Sequence, residues 1–301
     1  MKAELDIHAD DFGYSLHTSE DLIECMKEGK LDSISIICNT SHFEKSMDLL
    51  YEQIPALPFL PLMSIHLDLP EGESESRILP MSWVSLFASS YSFKRKAVKT
   101  ELKKELKRQI DKAQCAIDKC IMIAKDKHIE CHQKGIRLDS HVHTHLIPIV
   151  WESLIEVIDE EGYDIEYIRN PKEPLIPFLK HTSLLSSYGV ANLIKNRILM
   201  FYSGKVDKFC DEKKIAKMYM WGLTMSGHMD YDRIEKIYPD MMAKAKKDGR
   251  KLEILFHPGR ALADEYGNEM NREYFADFNS SRNREIEKKA VKEINKLTGG
   301  I

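Results

Sequence analysis

The sequence predicts an α/β barrel of about seven parallel strands, and three observations carry that expectation. Short apolar runs of strand length alternate with longer stretches of helical periodicity along the 301 residues, the pattern of repeated βαβ units. No shift in composition marks a linker, so residues 1–301 read as one barrel-like domain rather than two. Carboxylates or imidazoles stand at the ends of four of the strands, and barrels of this kind carry their chemistry at strand C-termini.

The elements follow in order. Ala3, Leu5 and Ile7 alternate with more polar neighbours, which is strand periodicity. That strand ends at Asp10 and Asp11, and Gly13 turns the chain away. Ser19-Glu20-Asp21 opens a helix with the stripe Leu22, Ile23, Cys25 and Met26, and Gly29 closes it. Residues 33–38 form a second strand rich in β-branched side chains. A helix over 42–51 follows, and Pro55, Pro58 and Pro61 break the chain after it.

Residues 62–69 are a third strand carrying His66 and Asp68. The stretch 73–94, with Pro80, Trp83 and Phe87, is too long for a plain connection and reads as an inserted, lid-like loop. The longest helix is expected over 96–134, where Val98, Leu102, Leu106, Ile110, Ala113, Ile117 and Ile121 recur at steps of three and four. Strands are then expected at 135–141, 163–169, 216–224 and 252–256, with helices over 150–161, 231–247 and 283–297. A second insertion, 171–215, has a helical middle over 186–200.

Composition narrows the function classes. The chain is 43% hydrophobic and 31% charged, with net charge -4 and a pI of about 6.3. No basic surplus points to nucleic acid or an anionic membrane. No apolar run reaches the roughly 18 residues of a membrane span, and the N-terminus shows no signal-peptide core, so a cytoplasmic location is expected. The six cysteines are scattered without a Cys-x-x-Cys pair and read as small, partly buried apolar residues.

The chemistry concentrates at the strand ends. Asp10 and Asp11 repel each other unless a cation or a mobile proton sits between them. The third strand adds His66, the fourth Asp139-Ser-His141-Val-His143-Thr-His145, and the seventh His257. If the strands are parallel neighbours, these groups meet on one face. A carboxylate with imidazoles from separate strands is the usual make-up of a divalent metal site that keeps positions open. On an extended backbone, His141, His143 and His145 would point to one side. His17, His42, His128, His132, His181 and His228 are read as structural or surface residues.

The segments His8-Ala-Asp-Asp-Phe-Gly13, Ile65-His-Leu-Asp-Leu-Pro-Glu-Gly72, Leu138-Asp-Ser-His-Val-His-Thr-His145 and Phe256-His-Pro-Gly259 resemble, in order, those of the YdjC/ChbG-like carbohydrate deacetylases, which include chitooligosaccharide deacetylases. The resemblance implies a deformed (β/α) barrel that removes acetyl from a short N-acetylated sugar. It implies one divalent metal ion held by Asp11, His66 and His141, with Asp10 as general base and His257 as general acid. Magnesium and zinc suit that ligand set, as do manganese, cobalt and nickel. It also implies a homodimer.

Around this core, Arg169 or Arg260 would hold Asp10 or His257, or reach the sugar. Asp139 would orient a ligand imidazole, with His143 and His145 in similar roles. Phe12, Tyr14, Trp83 and Trp221 are candidates to stack on sugar rings, and Trp221 reads equally well as core. Two positions depart from the family's pattern: His8 and Asp68 stand where Asn is common. Two other readings of the same residues are a His-rich barrel phosphoesterase, for which the sequence shows no phosphate-binding loop, and an inactive sugar-binding barrel.

Overall fold

The computed structural model describes residues 4–262, 265 and 282–294. Seven strands form one sheet: β1 (Leu5–Phe12), β2 (Ser33–Ile36), β3 (Leu62–Leu67), β4 (Ile136–Ser140), β5 (Ile165–Ile168), β6 (Met218–Trp221) and β7 (Lys251–Phe256). Their order is β5-β4-β3-β2-β1-β7-β6 and every pairing is parallel. The helices are α1 (Leu16–Lys27), α2 (Phe43–Gln53), α3 (Trp83–Ser89), α4 (Arg95–Asp126), α5 (Pro148–Glu161), α6 (Ile176–Leu179), α7 (Val190–Lys213), α8 (Tyr231–Lys247) and α9 (Arg282–Glu293). None of the described helices is long and apolar enough to cross a membrane.

The sheet curls strongly. In a flat sheet β5 would lie four strand spacings from β1 and five from β7, about 19 and 24 Å. Instead Arg169, just after β5, bonds Asp10 on β1 and Glu253 on β7, and the Tyr167 hydroxyl donates to Glu253. The edge strands β5 and β6 do not pair with each other among the described residues. The segment after β5 crosses the gap: the Met220 amide donates to the Lys172 carbonyl (3.2 Å). The fold is therefore an α/β half-barrel of seven parallel strands, closed by side chains.

One side of each strand packs apolar residues under the helices, among them Ile7, Ala9, Ile34, Ile36, Ile65 and Leu138. The other side faces the lumen. Barrel interiors are ordinarily filled by branched apolar side chains. Here Asp6, His8, Asp10, Ser33, Ser35, His66, Arg137, Asp139, Tyr167, Arg169 and Glu253 are all buried and linked by hydrogen bonds or ion pairs.

Several boundaries correct the expectations. The long helix stops at Asp126 instead of 134, because the buried stripe ends at Ala124 and His128 adopts a left-handed φ of 58°. The stretch 73–94 is not a plain loop. It contains α3, whose first turn is capped by Ser82 Oγ accepting from the Ser85 amide. Helix α7 runs to Lys213, well past 200, with Gly204 inside it interrupting the sequence pattern. Strand β6 ends at Trp221 because the next three amides turn toward a carboxylate. Residues 295–297 of the expected last helix lie outside the described residues.

That carboxylate is Glu173, fully buried beside the gap. It accepts from the amides of Gly222, Leu223 and Thr224 at 2.8–3.0 Å, and from the Thr224 hydroxyl. Burial raises its pKa, and those four donors work against burial. Removing the carboxylate strands several buried amides, each worth about 1–3 kcal/mol. Glu173→Ala should lower unfolding stability by about 3 kcal/mol or more in urea titrations. A loss below about 1 kcal/mol would show that this carboxylate does not close the barrel.

The cysteines split by environment. Burial pushes the Cys25, Cys38 and Cys120 thiols up to about 12, whereas Cys115 is exposed, against the expectation that it is partly buried. Thiolate is the reactive form. At pH 8, iodoacetamide should therefore label Cys115 in the native protein and reach those three only after denaturation. Peptide mass spectrometry distinguishes this from uniform labelling.

Candidate metal centre

Successive strand residues point to opposite faces, so two adjacent aspartates cannot both enter one site from a regular strand. The end of β1 is not regular. Its register to β2 shifts between Ala9 and Phe12, and Asp11 has φ 73°. Aspartate tolerates this left-handed region better than most residues. Gly13 completes the turn at φ 88°, and a Cβ there would come within 2.5 Å of the Ile37 carbonyl. The bulge swings Asp11 to the same side as Asp10.

Asp11 Oδ2 accepts from Arg284 Nη2 at 2.7 Å. Its Oδ1 is buried and accepts no hydrogen bond among the described residues. His141 Nδ1 lies 3.5 Å from that oxygen and His66 Nε2 3.8 Å. Burial alone would raise the Asp11 pKa, but Arg284, His141 and His257 hold it far below the usual carboxylate range. One atom each from Asp11, His66 and His141 lies within 4.8 Å of the others.

His66 and Asp139 face each other across the β3–β4 pair. Asp139 Oδ1 lies 2.7 Å from His66 Nδ1, which leaves Nε2 turned toward both aspartates. This carboxylate–imidazole arrangement orients a metal-binding histidine in known sites. Burial works against a charged His141, yet Asp11, Asp68 and Glu71 push it up to about 9. The Tyr14 ring stacks over His141, with centroids 6.3 Å apart, and its hydroxyl donates to Glu71.

Asp10 accepts a two-pronged contact from Arg169, at 2.8 and 2.9 Å. Burial disfavours its charge, but Arg169, His66 and His8 hold its pKa well below normal. His257, at the end of β7, donates its backbone amide to Glu287 Oε2 (2.6 Å), and its Nδ1 lies 3.6 Å from the same oxygen.

Some candidates land elsewhere. The 141–145 run is not extended: Val142 (φ 46°) and His143 (φ 58°) wind it into tight turns, so the three rings diverge. The His145 ring sits between Ser140 Oγ and the Arg169 carbonyl, and burial pushes it down to about 4. It anchors the Arg169 backbone. Burial, Lys195 and Arg169 keep His143 neutral. Arg260 pairs with Glu285, and the arginine on Asp10 is Arg169. Phe12 and Trp221 are fully buried core residues and present no face to a sugar. Trp83 stacks on Phe87 within α3.

Sequence reasoning missed Arg284 and Glu287. They are three apart on α9, so one face delivers a guanidinium to Asp11 and a carboxylate to His257. The available signal was their spacing. With Val291 they mark one helical stripe in which two charged residues occupy apolar positions.

The fold and this cluster define a class: α/β barrels with a buried Asp-His-His group at the strand C-termini. Within it, the chain belongs to the YdjC-like protein family, whose model matches residues 4–298. It is 25% identical over 186 residues to a carbohydrate deacetylase of Danio rerio, covering 59% of this chain and 52% of that protein. It is 26% identical over 170 residues to a carbohydrate deacetylase of Brevibacillus brevis, covering 54% of this chain and 59% of that protein. The aligned chain thus spans little more than half the length of these relatives. A solved structure of an Enterococcus faecalis V583 protein aligns over 97% of this chain and 95% of its own, at 15% identity and a TM-score of 0.49.

Proposed function

We propose that this chain is a metal-dependent carbohydrate deacetylase that removes the acetyl group from the nitrogen of a short N-acetylated sugar, such as a chitooligosaccharide. The observation that carries the reading is the Asp11, His66 and His141 group within 4.8 Å, beside a second carboxylate, Asp10. The names of the two curated relatives support the substrate class.

The residues fit a divalent cation. Asp11 Oδ1 is a buried, ionised oxygen that accepts no hydrogen bond of good geometry within 3.5 Å among the described residues, His141 Nδ1 faces it at 3.5 Å, and His66 Nε2 is aimed at it by Asp139. One oxygen and two nitrogens suit zinc, and magnesium less selectively. When bound, the ion would polarise the acetyl oxygen and acidify a water.

The protein groups supply the proton traffic. Asp10, kept ionised by Arg169, would accept the proton that the attacking water loses. His257 would give a proton to the departing amine, with Glu287 beside its Nδ1 to stabilise the charged ring. The products are acetate and a free amine, and each lost proton has an acceptor. Tyr14, above His141, would form part of the pocket wall.

The test is acetate release from N,N'-diacetylchitobiose and related short sugars, using chelated protein with single metals restored. Metal-dependent acetate release is the expected result. Turnover of p-nitrophenyl phosphate without acetate release would favour a phosphoesterase. Sugar binding without any turnover would favour an inactive barrel.

A further inference from the structure

His8 lies at the middle of β1 and is fully buried in the lumen. Its Nδ1 is 2.6 Å from Ser33 Oγ and its Nε2 is 2.6 Å from Ser35 Oγ. Each hydroxyl has a single hydrogen to give. Ser33 gives its hydrogen to Asp6 Oδ1, and Ser35 gives its hydrogen to Asp139 Oδ2. Both carboxylates face a guanidinium: Arg137 Nη2 is 3.5 Å from Asp6, and Arg169 Nη2 is 3.0 Å from Asp139. Ionised carboxylates only accept. With both carboxylates ionised, each serine oxygen has only lone pairs left for the imidazole, and both ring nitrogens would carry hydrogen.

The charges around the ring agree. His8 is surrounded by Asp6 and Asp10 on its own strand, Asp139 on β4 and Glu253 on β7. Only two guanidiniums, Arg137 and Arg169, oppose these four carboxylates among the lumen residues described above. His66, facing Asp10 and Asp139, is the other imidazole able to carry positive charge there, and a charged His8 ring adds to these groups.

The contact to Asp10 is one-sided. Nε2 lies 3.3 Å from Asp10 Oδ1, the oxygen that also accepts from Arg169 Nη2. Oδ2 accepts from Arg169 Nη1 and faces His66 Nε2 at 3.9 Å. We propose that His8 is a buried imidazolium, donating from its two nitrogens to Ser33 and Ser35, and a positioning residue whose charge beside Asp10 Oδ1 holds that oxygen in place so that Oδ2 is the one presented to the substrate side. The catalytic half of this rests on Asp10 acting as base in the proposed function. The ring's charge does not.

Two measurements test it. In ¹⁵N-histidine-labelled protein without substrate at pH 7.5, assigned by loss of the signal in His8→Asn, both His8 nitrogens should appear as N–H. One bare nitrogen overturns the proposal. In kinetics, His8→Asn, which keeps one amide donor but no charge, should lower kcat at least tenfold, with KM and metal content within threefold of wild type. Unchanged kcat overturns the positioning role. His8→Gln provides a second neutral donor should His8→Asn fold poorly. Absence of acetate release from wild type would defeat the deacetylase reading and with it the positioning role, while the ring signals still decide the imidazolium.

Discussion

Asp10→Asn should lower kcat for acetate release by about a hundredfold to ten-thousandfold, the usual contribution of a positioned general base. KM should stay within about threefold. An amide matches the carboxylate in shape but cannot take up the proton of the attacking water. The fold should survive, because Arg169 retains Asp139 at 3.0 Å and Glu253 at 2.7 Å. Initial rates with a thermal melt on the same protein make the check. A folded variant that keeps more than a tenth of wild-type kcat would remove Asp10 from the role of base.

Asp11→Asn should have a different signature. Asp11 offers the only carboxylate oxygen of the Asp-His-His group, so its loss should weaken metal affinity at least a hundredfold and bring turnover to background. Asp10→Asn should keep the metal. Calorimetric titration of both chelated variants separates the adjacent carboxylates, and equal loss of affinity in the two would make both of them ligands. Protons should compete with the metal. In the metal-free protein His141 is pushed up to about 9, so below that pH the ring must shed a proton to bind. Affinity should therefore fall by up to tenfold per unit as pH drops from 9 to 7, and a flat profile would argue that His141 is not a ligand.

The strand and helix alternation was legible because periodicity is local. β1, β3 and β7 announce themselves by apolar spacing and end in residues with recognisable chemistry. The end of α4 and the whole of α3 were less legible. A left-handed residue at His128 and a serine cap at Ser82 are weak local signals, and their meaning depends on what the chain packs against next.

The cluster was legible by type and only partly by geometry. The pairing of His66 with Asp139 follows from strand neighbours, which a parallel order makes predictable. The divergence of His141, His143 and His145 does not, because two positive φ values at Val142 and His143 rotate the rings apart. Phe12 looks from sequence like a sugar platform, and burial against the helices makes it core.

By itself, then, the sequence determined the alternation of elements, the lack of an apolar run of membrane-spanning length, and the presence of carboxylates and imidazoles at strand ends. The tertiary structure alone decided which of them meet. It turned Asp11 inward through a bulge, brought Arg169 across a curled sheet to Asp10, and delivered Arg284 and Glu287 from α9. The reason is physical. A side chain's chemistry and its local periodicity are written in a few neighbouring residues. Its charge state and its partners depend on groups hundreds of residues away, which only packing brings within 3 Å.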